Sequence, residues 1–176
     1  MAERFVVGIS GSQGGSSKTR RLVTAVAENV ASVSGWRAEL YDLTDIGALL
    51  GAAQGRADAP EALDRIWKAI ETCDALVVGS PTYKASYSGL LKHLFDLLDM
   101  KALSDRPVTV VATGRAPGHA LMIEHQMKPL FSFFGARITA TGIYATDSDF
   151  DSTGQLGPAL LEKVRKAADE LRRLAG

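Results

Sequence analysis

The sequence predicts an α/β protein in which a doubly wound, five-stranded parallel sheet lies between two layers of helix. Three observations carry that reading. Phe5-Val6-Val7-Gly8-Ile9 and Ala75-Leu76-Val77-Val78-Gly79 are nearly continuous apolar runs, as expected of strands covered on both faces. Between such runs stand segments whose apolar residues recur at about the 3.6-residue period of an amphipathic helix. The alternation of strand and helix occurs five times, and such units wind into an open α/β/α sandwich.

The elements follow in order. After the first strand a Gly/Ser-rich loop runs from Ser10 to Ser17, and either Ser16 or Ser17 suits the cap of the next helix. Leu22, Val23, Val26, Ala27 and Val30 form the apolar stripe of that helix, which ends near Gly35. Arg37–Leu43 alternates polar and apolar, the pattern of a half-exposed edge strand. Gly47–Ala59 is rich in glycine and alanine and reads as irregular, and Pro60 suits the first turn of a helix reaching Thr72. The third strand, Ala75–Gly79, leads to a helix over Ser88–Leu98 whose leucines and Phe95 give a wide buried face. Pro107–Ala112 is the fourth strand, with Thr113-Gly114 at its carboxyl end. A helix over Gly118–Phe134 contains Pro129, which removes a ladder hydrogen bond and predicts a kink or bulge. Ile138–Tyr144 is the fifth strand, and Pro158–Leu174 closes the chain as an amphipathic helix.

Composition narrows the function classes. The 176 residues predict one domain, 1–176, long enough to bury about two-thirds of the unfolded surface. Twenty Lys+Arg balance 20 Asp+Glu, which counts against nucleic acid as a partner and against the acidic surface of an electron carrier. No run approaches the roughly 18 apolar residues of a membrane span, and a strand starting at Phe5 leaves no room for a signal peptide. Cys73, the only cysteine, cannot form an internal disulfide, so a reducing cytoplasm is expected. It reads as a buried, inert thiol, and Trp36 and Trp67 read as packing. No two histidines stand at i, i+4 spacing, so no metal site is expected.

In an open parallel sheet ligands bind beyond the carboxyl ends of the strands. Three segments rich in Gly, Ser, Thr or Pro stand there: Ser10–Thr19, Pro81–Ser88 and Thr113–Gly118. The first joins a strand to a helix N-terminus, where free N–H groups, hydroxyls and Lys18 suit a phosphate monoester. A Walker A loop is excluded, because Ser12 and Ser17 replace both of its glycines. Gly8, Gly11 and Gly14, spaced by threes, do not make a dinucleotide fingerprint either. In the second segment Pro81 stiffens the chain and Tyr83 sets a flat aromatic at the sheet's edge. In the third, Gly114 lets backbone approach a ligand closely. Together they describe a mononucleotide site with a phosphate in the first loop and a planar ring between the other two, as flavin mononucleotide (FMN) requires.

Three strings carry a family resemblance: Ser80-Pro81-Thr82-Tyr83-Lys84-Ala85-Ser86-Tyr87-Ser88-Gly89-Leu90-Leu91-Lys92-His93-Leu94-Phe95-Asp96-Leu97, Ala112-Thr113-Gly114, and His125-Gln126-Met127-Lys128-Pro129-Leu130-Phe131-Ser132-Phe133-Phe134. Over nearly its whole length the chain resembles the flavodoxin-like NAD(P)H-dependent FMN reductases. The strongest likeness is to those serving two-component alkanesulfonate monooxygenases of the methanesulfonate type. The resemblance implies that Ser10, Ser12, Ser17, Lys18 and Thr19 hold the FMN phosphate. It implies that Pro81, Thr82, Tyr83 and Lys84 flank the isoalloxazine on one side and Thr113, Gly114 and Arg115 on the other. NADH or NADPH would pass a hydride to the flavin, with no side-chain acid or base, and reduced FMN would leave for a partner monooxygenase. A homodimer or homotetramer is implied as well.

Two positions depart from the family pattern. Gln13-Gly14-Gly15 stand where relatives carry Pro and Arg, which leaves Lys18 as the loop's charge. Arg115 replaces the second glycine of Thr-Gly-Gly; flavin contact, a pyridine-nucleotide phosphate and solvent are all open to it. His125 aligns with an inserted residue that forms a π-helix in two-component reductases and is associated there with flavin transfer. His119 is expected near the flavin loop and His93 on a solvated position. Asp147, Ser148, Asp149 and Asp151 read as a solvated acidic loop close to the cofactor face. The alternatives are a quinone, azo or chromate reductase that keeps its FMN, and a flavodoxin-like electron carrier.

Overall fold

The computed structural model describes residues 3–15, 17–57 and 59–176. Strands β1 (Phe5–Ser10), β2 (Arg37–Asp42), β3 (Ala75–Pro81) and β4 (Pro107–Thr113) pair in parallel in the order β2-β1-β3-β4. β5 (Arg137–Ile138) and β6 (Ile143–Ala145) both pair with β4 beyond it. The resulting order β2-β1-β3-β4-β5 is the flavodoxin-like one, with the switch in strand order beside β1.

Strand pleat divides the core into two layers. Val7, Ile9, Leu76, Val78, Val108 and Val110 face α2 (Leu43–Ala52), α3 (Glu61–Thr72), α4 (Gly89–Asp96) and α5 (Lys128–Phe133). Val6, Ala75, Val77, Val111 and Ile143 face α1 (Lys18–Ser34) and α6 (Pro158–Ala175). α1 lies close to the sheet because Gly8 and Gly79 carry no side chain. A Cβ on Gly79 would stand 2.3 Å from Val23 Cγ2, and one on Gly8 2.9 Å from Val23 Cγ1. That close approach sets the N-terminus of α1 beside the ends of β1 and β4.

Local chemistry fixes the helix ends. Ser17 caps α1 by accepting from Arg20 N–H at 3.1 Å; the other candidate cap, Ser16, lies outside the described residues. At the far end Gly35, with φ 67°, adopts the left-handed turn that stops the helix. β2 is the half-exposed edge strand that its alternation predicts.

Four expectations need correction. The stretch from Gly47 is not irregular throughout: α2 runs to Ala52, because Asp42 accepts from Thr44 N–H at 2.7 Å and so caps a helix that buries Leu43, Ile46 and Leu50. Asp58, within that stretch, lies outside the described residues. The fifth strand is broken: Val108 pairs with Ile138 and Val111 with Ile143, so two extra residues bulge out between β5 and β6. Thr141 is drawn off the ladder by Glu170 of α6, which accepts from its N–H and its hydroxyl, both at 2.7 Å. The expected helix over Gly118–Phe134 is not continuous: a 3-10 turn at Pro117–His119 and a π-helical turn at Ile123–Met127, where the alignment of His125 predicts one, precede α5. Pro129 sits in the first turn of α5, where its missing N–H costs least. His93 is half-buried rather than solvated, its Nε2 2.8 Å from the carbonyl of Ala53.

Candidate functional site

The carboxyl ends of β1, β3, β4 and β6 meet along one edge of the sheet, and backbone hydrogen bonds weld their loops together. Gly11 N–H donates to Gly79 O at 2.7 Å, Thr82 N–H to Thr113 O at 2.7 Å and Gly114 N–H to Ala145 O at 3.0 Å. Ser88 adds a side-chain tie, donating through Oγ to Gly11 O at 2.8 Å while its N–H reaches Ser80 Oγ at 2.9 Å.

In the first loop Ser10 Oγ accepts from Ser12 N–H at 3.4 Å and Ser12 Oγ from Gly14 N–H at 3.3 Å. Each hydroxyl keeps its own proton to donate, as does the Ser17 cap. The first-turn N–H groups of Lys18 and Thr19 have no partner within the helix, so this end of α1 favours an anion. The Thr19 side chain is buried and turned inward, its Oγ1 2.6 Å from Thr113 Oγ1; it clamps α1 to the end of β4.

The second loop is a two-residue hairpin in which Tyr83 and Ser86 exchange backbone hydrogen bonds of 2.8 and 3.1 Å. Lys84 and Ala85 at its tip have φ of 51° and 66°, the geometry of a type I′ turn without the usual glycine. Each such residue costs on the order of 1 kcal/mol. The strain is spent holding Tyr83 half out of the surface, 49% exposed, at the cleft edge.

Between these loops lies a cleft of about 410 Å3, inside the range of roughly 300–1,000 Å3 usual for small-ligand sites. Of the residues expected to bind cofactor, the cleft gathers Lys18, Pro81, Thr82 and Tyr83 on one flank and Thr113, Gly114 and Arg115 on the other. Gly114 is required there: a Cβ would fall 2.2 Å from Tyr144 Oη and 3.0 Å from Thr82 Oγ1. Ser10, Ser12, Ser17 and Thr19 do not line it; they build the loop and helix end beneath Lys18. Lys84, exposed at the hairpin tip, does not line it either.

A fourth wall comes from the acidic segment expected close to the cofactor face. Thr146, Asp147 and Phe150, which follow β6, complete the cleft, so the acidic segment is not merely a solvated loop. Lys18 Nζ lies 2.8 Å from Asp147 Oδ1 and 5.3 Å from the centre of the Phe150 ring. The hydrogen bond and charge of Lys18, with Arg115 adding to them, hold the Asp147 carboxyl below the ordinary carboxylate range. The signal was available in the rule that strand ends make the site, since this segment also follows a strand.

His119 lines the main cleft and also a smaller one of about 170 Å3, whose other wall is the π-helical turn with His125. Ser86 Oγ, 3.3 Å from Gln126 Oε1, joins the hairpin to that turn. Cys73 is remote and buried in the core, where burial pushes its thiol up to about 12. Among the described residues no three His, Cys, Asp or Glu side chains gather as metal ligands.

The arrangement fits FMN: an anion cradle at a helix end, one lysine in its loop, and a cleft lined by Tyr83 and the close-packed backbone at Gly114. The family model for NADPH-dependent FMN reductases matches residues 5–151. The chain belongs to the NADPH-dependent FMN reductase family. It is 42% identical over 171 residues to an FMN reductase (NADPH) of Pseudomonas aeruginosa, covering 97% of this chain and 92% of the relative. It is 41% identical over 171 residues to the NADH-dependent FMN reductase SfnF of Pseudomonas fluorescens, covering 97% and 91%. Among solved structures, an oxidoreductase from Corynebacterium diphtheriae superposes with a TM-score of 0.87 at 29% identity, over 98% of this chain and 97% of that one. The protein is thus an FMN reductase, an enzyme that works with FMN and a reduced nicotinamide nucleotide. No helix among the described residues is long and apolar enough to cross a membrane.

Proposed function

We propose that this FMN reductase releases its reduced flavin to a partner monooxygenase of a two-component, alkanesulfonate-type system. The observation that carries the reading is the form of the cleft. It is open along the strand ends, its first loop offers a single lysine, and no arginine stands between Ser10 and Thr19 to grip a phosphate bidentately. The motif strings resemble the reductases of such systems.

In this reading the first loop and the N-terminus of α1, with Ser10, Ser12, Ser17 and Lys18, receive the phosphate, while Thr19 clamps that helix end to Thr113. Pro81, Thr82 and Tyr83 position one side of the ring, with Lys84 at the hairpin tip outside the cleft lining, and Thr113, Gly114 and Arg115 position the other. FMN when bound supplies the redox chemistry, accepting a hydride from NADH or NADPH. The protein's part is to stack, orient and exclude, which requires no side-chain acid or base.

The chain 1–176 acts as one domain, in the cytoplasm, and assembles as a homodimer or homotetramer. Exposed Met100 and Phe133 border an apolar cleft of about 440 Å3 that a second copy would cover. The π-helical turn with His125 stands beside the hairpin that holds Tyr83.

Purified protein with excess FMN should oxidise NADH or NADPH, read at the nicotinamide absorbance. Turnover proportional to added FMN supports the reading. Turnover only with a quinone, azo dye or chromate as acceptor, on FMN that stays bound, would instead favour the reductase that keeps its flavin.

A further inference from the structure

We propose that Asp147 sets the affinity for FMN by competing with the flavin phosphate for Lys18. The inference rests on the cleft being the FMN site, as proposed above.

Lys18 is the only basic residue between Ser10 and Thr19, and it opens α1. Its ammonium is already committed, 2.8 Å from Asp147 Oδ1, with the Phe150 ring beside it. The carboxylate comes from the far side of the cleft, 129 residues along the chain. It is held there by structure: Thr146 donates to Asp149 Oδ2 through N–H at 2.7 Å and through Oγ1 at 2.9 Å, and Gly157 N–H donates to Asp149 O at 2.8 Å. Phe150 is buried and anchors the turn into the α1/α6 layer.

A cleft built to receive a phosphate therefore carries an anion of its own on the same cation. When FMN enters, Lys18 either leaves Asp147 or is shared between two anions. In the first case an existing ion pair is lost; in the second, like charges stand close together. Either outcome weakens phosphate binding while leaving ring binding alone. An exposed ion pair is weak, so its loss alone costs the ligand little, and the larger share is repulsion between the Asp147 carboxylate and the phosphate on the same ammonium. For an enzyme that must give up its flavin, a resident competitor shortens the residence of FMN without dismantling the ring site.

The test is flavin-fluorescence titration of the full-length protein with FMN and with riboflavin, which lacks the phosphate. Asp147→Asn should tighten FMN about fivefold or more and slow its dissociation, with riboflavin affinity unchanged. Asp147→Ser serves as a second variant of smaller size. Lys18→Met should weaken FMN, and in a Lys18→Met background Asp147→Asn should have no further effect. Unchanged or weaker FMN binding by both Asp147 variants overturns the proposal, as does equal tightening of riboflavin. Failure of the wild-type protein to bind either flavin overturns the FMN site itself, and this inference with it.

Discussion

At Gly114 the absence of a side chain lets Tyr144 Oη and Thr82 Oγ1 pack against the backbone at the cleft wall. Gly114→Ala would set a methyl group 2.2 Å from Tyr144 Oη, whose own hydrogen bond to Ala116 O at 2.9 Å resists displacement. Relieving that overlap costs about 1–3 kcal/mol. The variant is expected to melt lower and to bind FMN about tenfold more weakly, read by thermal unfolding and by flavin fluorescence. Binding indistinguishable from wild type would show that the ring does not lie against Gly114. Seven of the expected cofactor residues, Lys18 and Arg115 among them, do line the cleft, because loops after parallel strands must converge there. What single residues conceal is direction. Thr19 has the right hydroxyl for a phosphate yet spends it on Thr113, 94 residues away, a pairing that exists only once α1 is seated on the sheet. Asp147, expected close to the cofactor face, reads as solvated for the same reason, since its acidity looks like solvation until Lys18 is found opposite it.

Among the elements, the interrupted edge of the sheet shows how a side chain can override a strand. Ile138–Tyr144 has the composition of one strand, but Glu170 takes the Thr141 N–H that the ladder would use. Burial opposes the charge on Glu170, but the hydrogen bonds from Thr141 outweigh it and hold the carboxyl below its ordinary value. A carboxyl lowered in the folded state stabilises above its unfolded pKa, and that stability is lost as pH falls through the folded value. Glu170→Ala is therefore expected to cost about 1–2 kcal/mol at neutral pH, measured by urea unfolding, with the difference from wild type shrinking toward pH 3. A difference independent of pH would mean that packing, not the hydrogen-bonded charge, holds the bulge. α2 escaped the sequence reading because its glycines hide a helical spacing that Asp42 starts. Pro129 announced a disturbed ladder and the alignment of His125 a π-helix, and a π-helical turn stands at Ile123–Met127; only its tie to the flavin-side hairpin depends on contacts that no local pattern encodes.

Over the whole molecule, the doubly wound sheet was legible because strands buried on both faces must be apolar throughout, and helices between them must be apolar on one side. β1, β3 and β4 fall where those runs lie. Balanced charge, 20 basic against 20 acidic residues, has its counterpart in a site that carries both Lys18 and Asp147. In the cleft Asp147 pairs Lys18, and Arg115 adds a second positive charge. The central claim is that flavin is a passenger. Anaerobic reduction of FMN by NADH and by NADPH, followed by rapid separation of protein from small molecules, tests it most directly. Reduced FMN recovered mainly in the protein-free fraction is the expected result; reduced FMN that stays with the protein would contradict it.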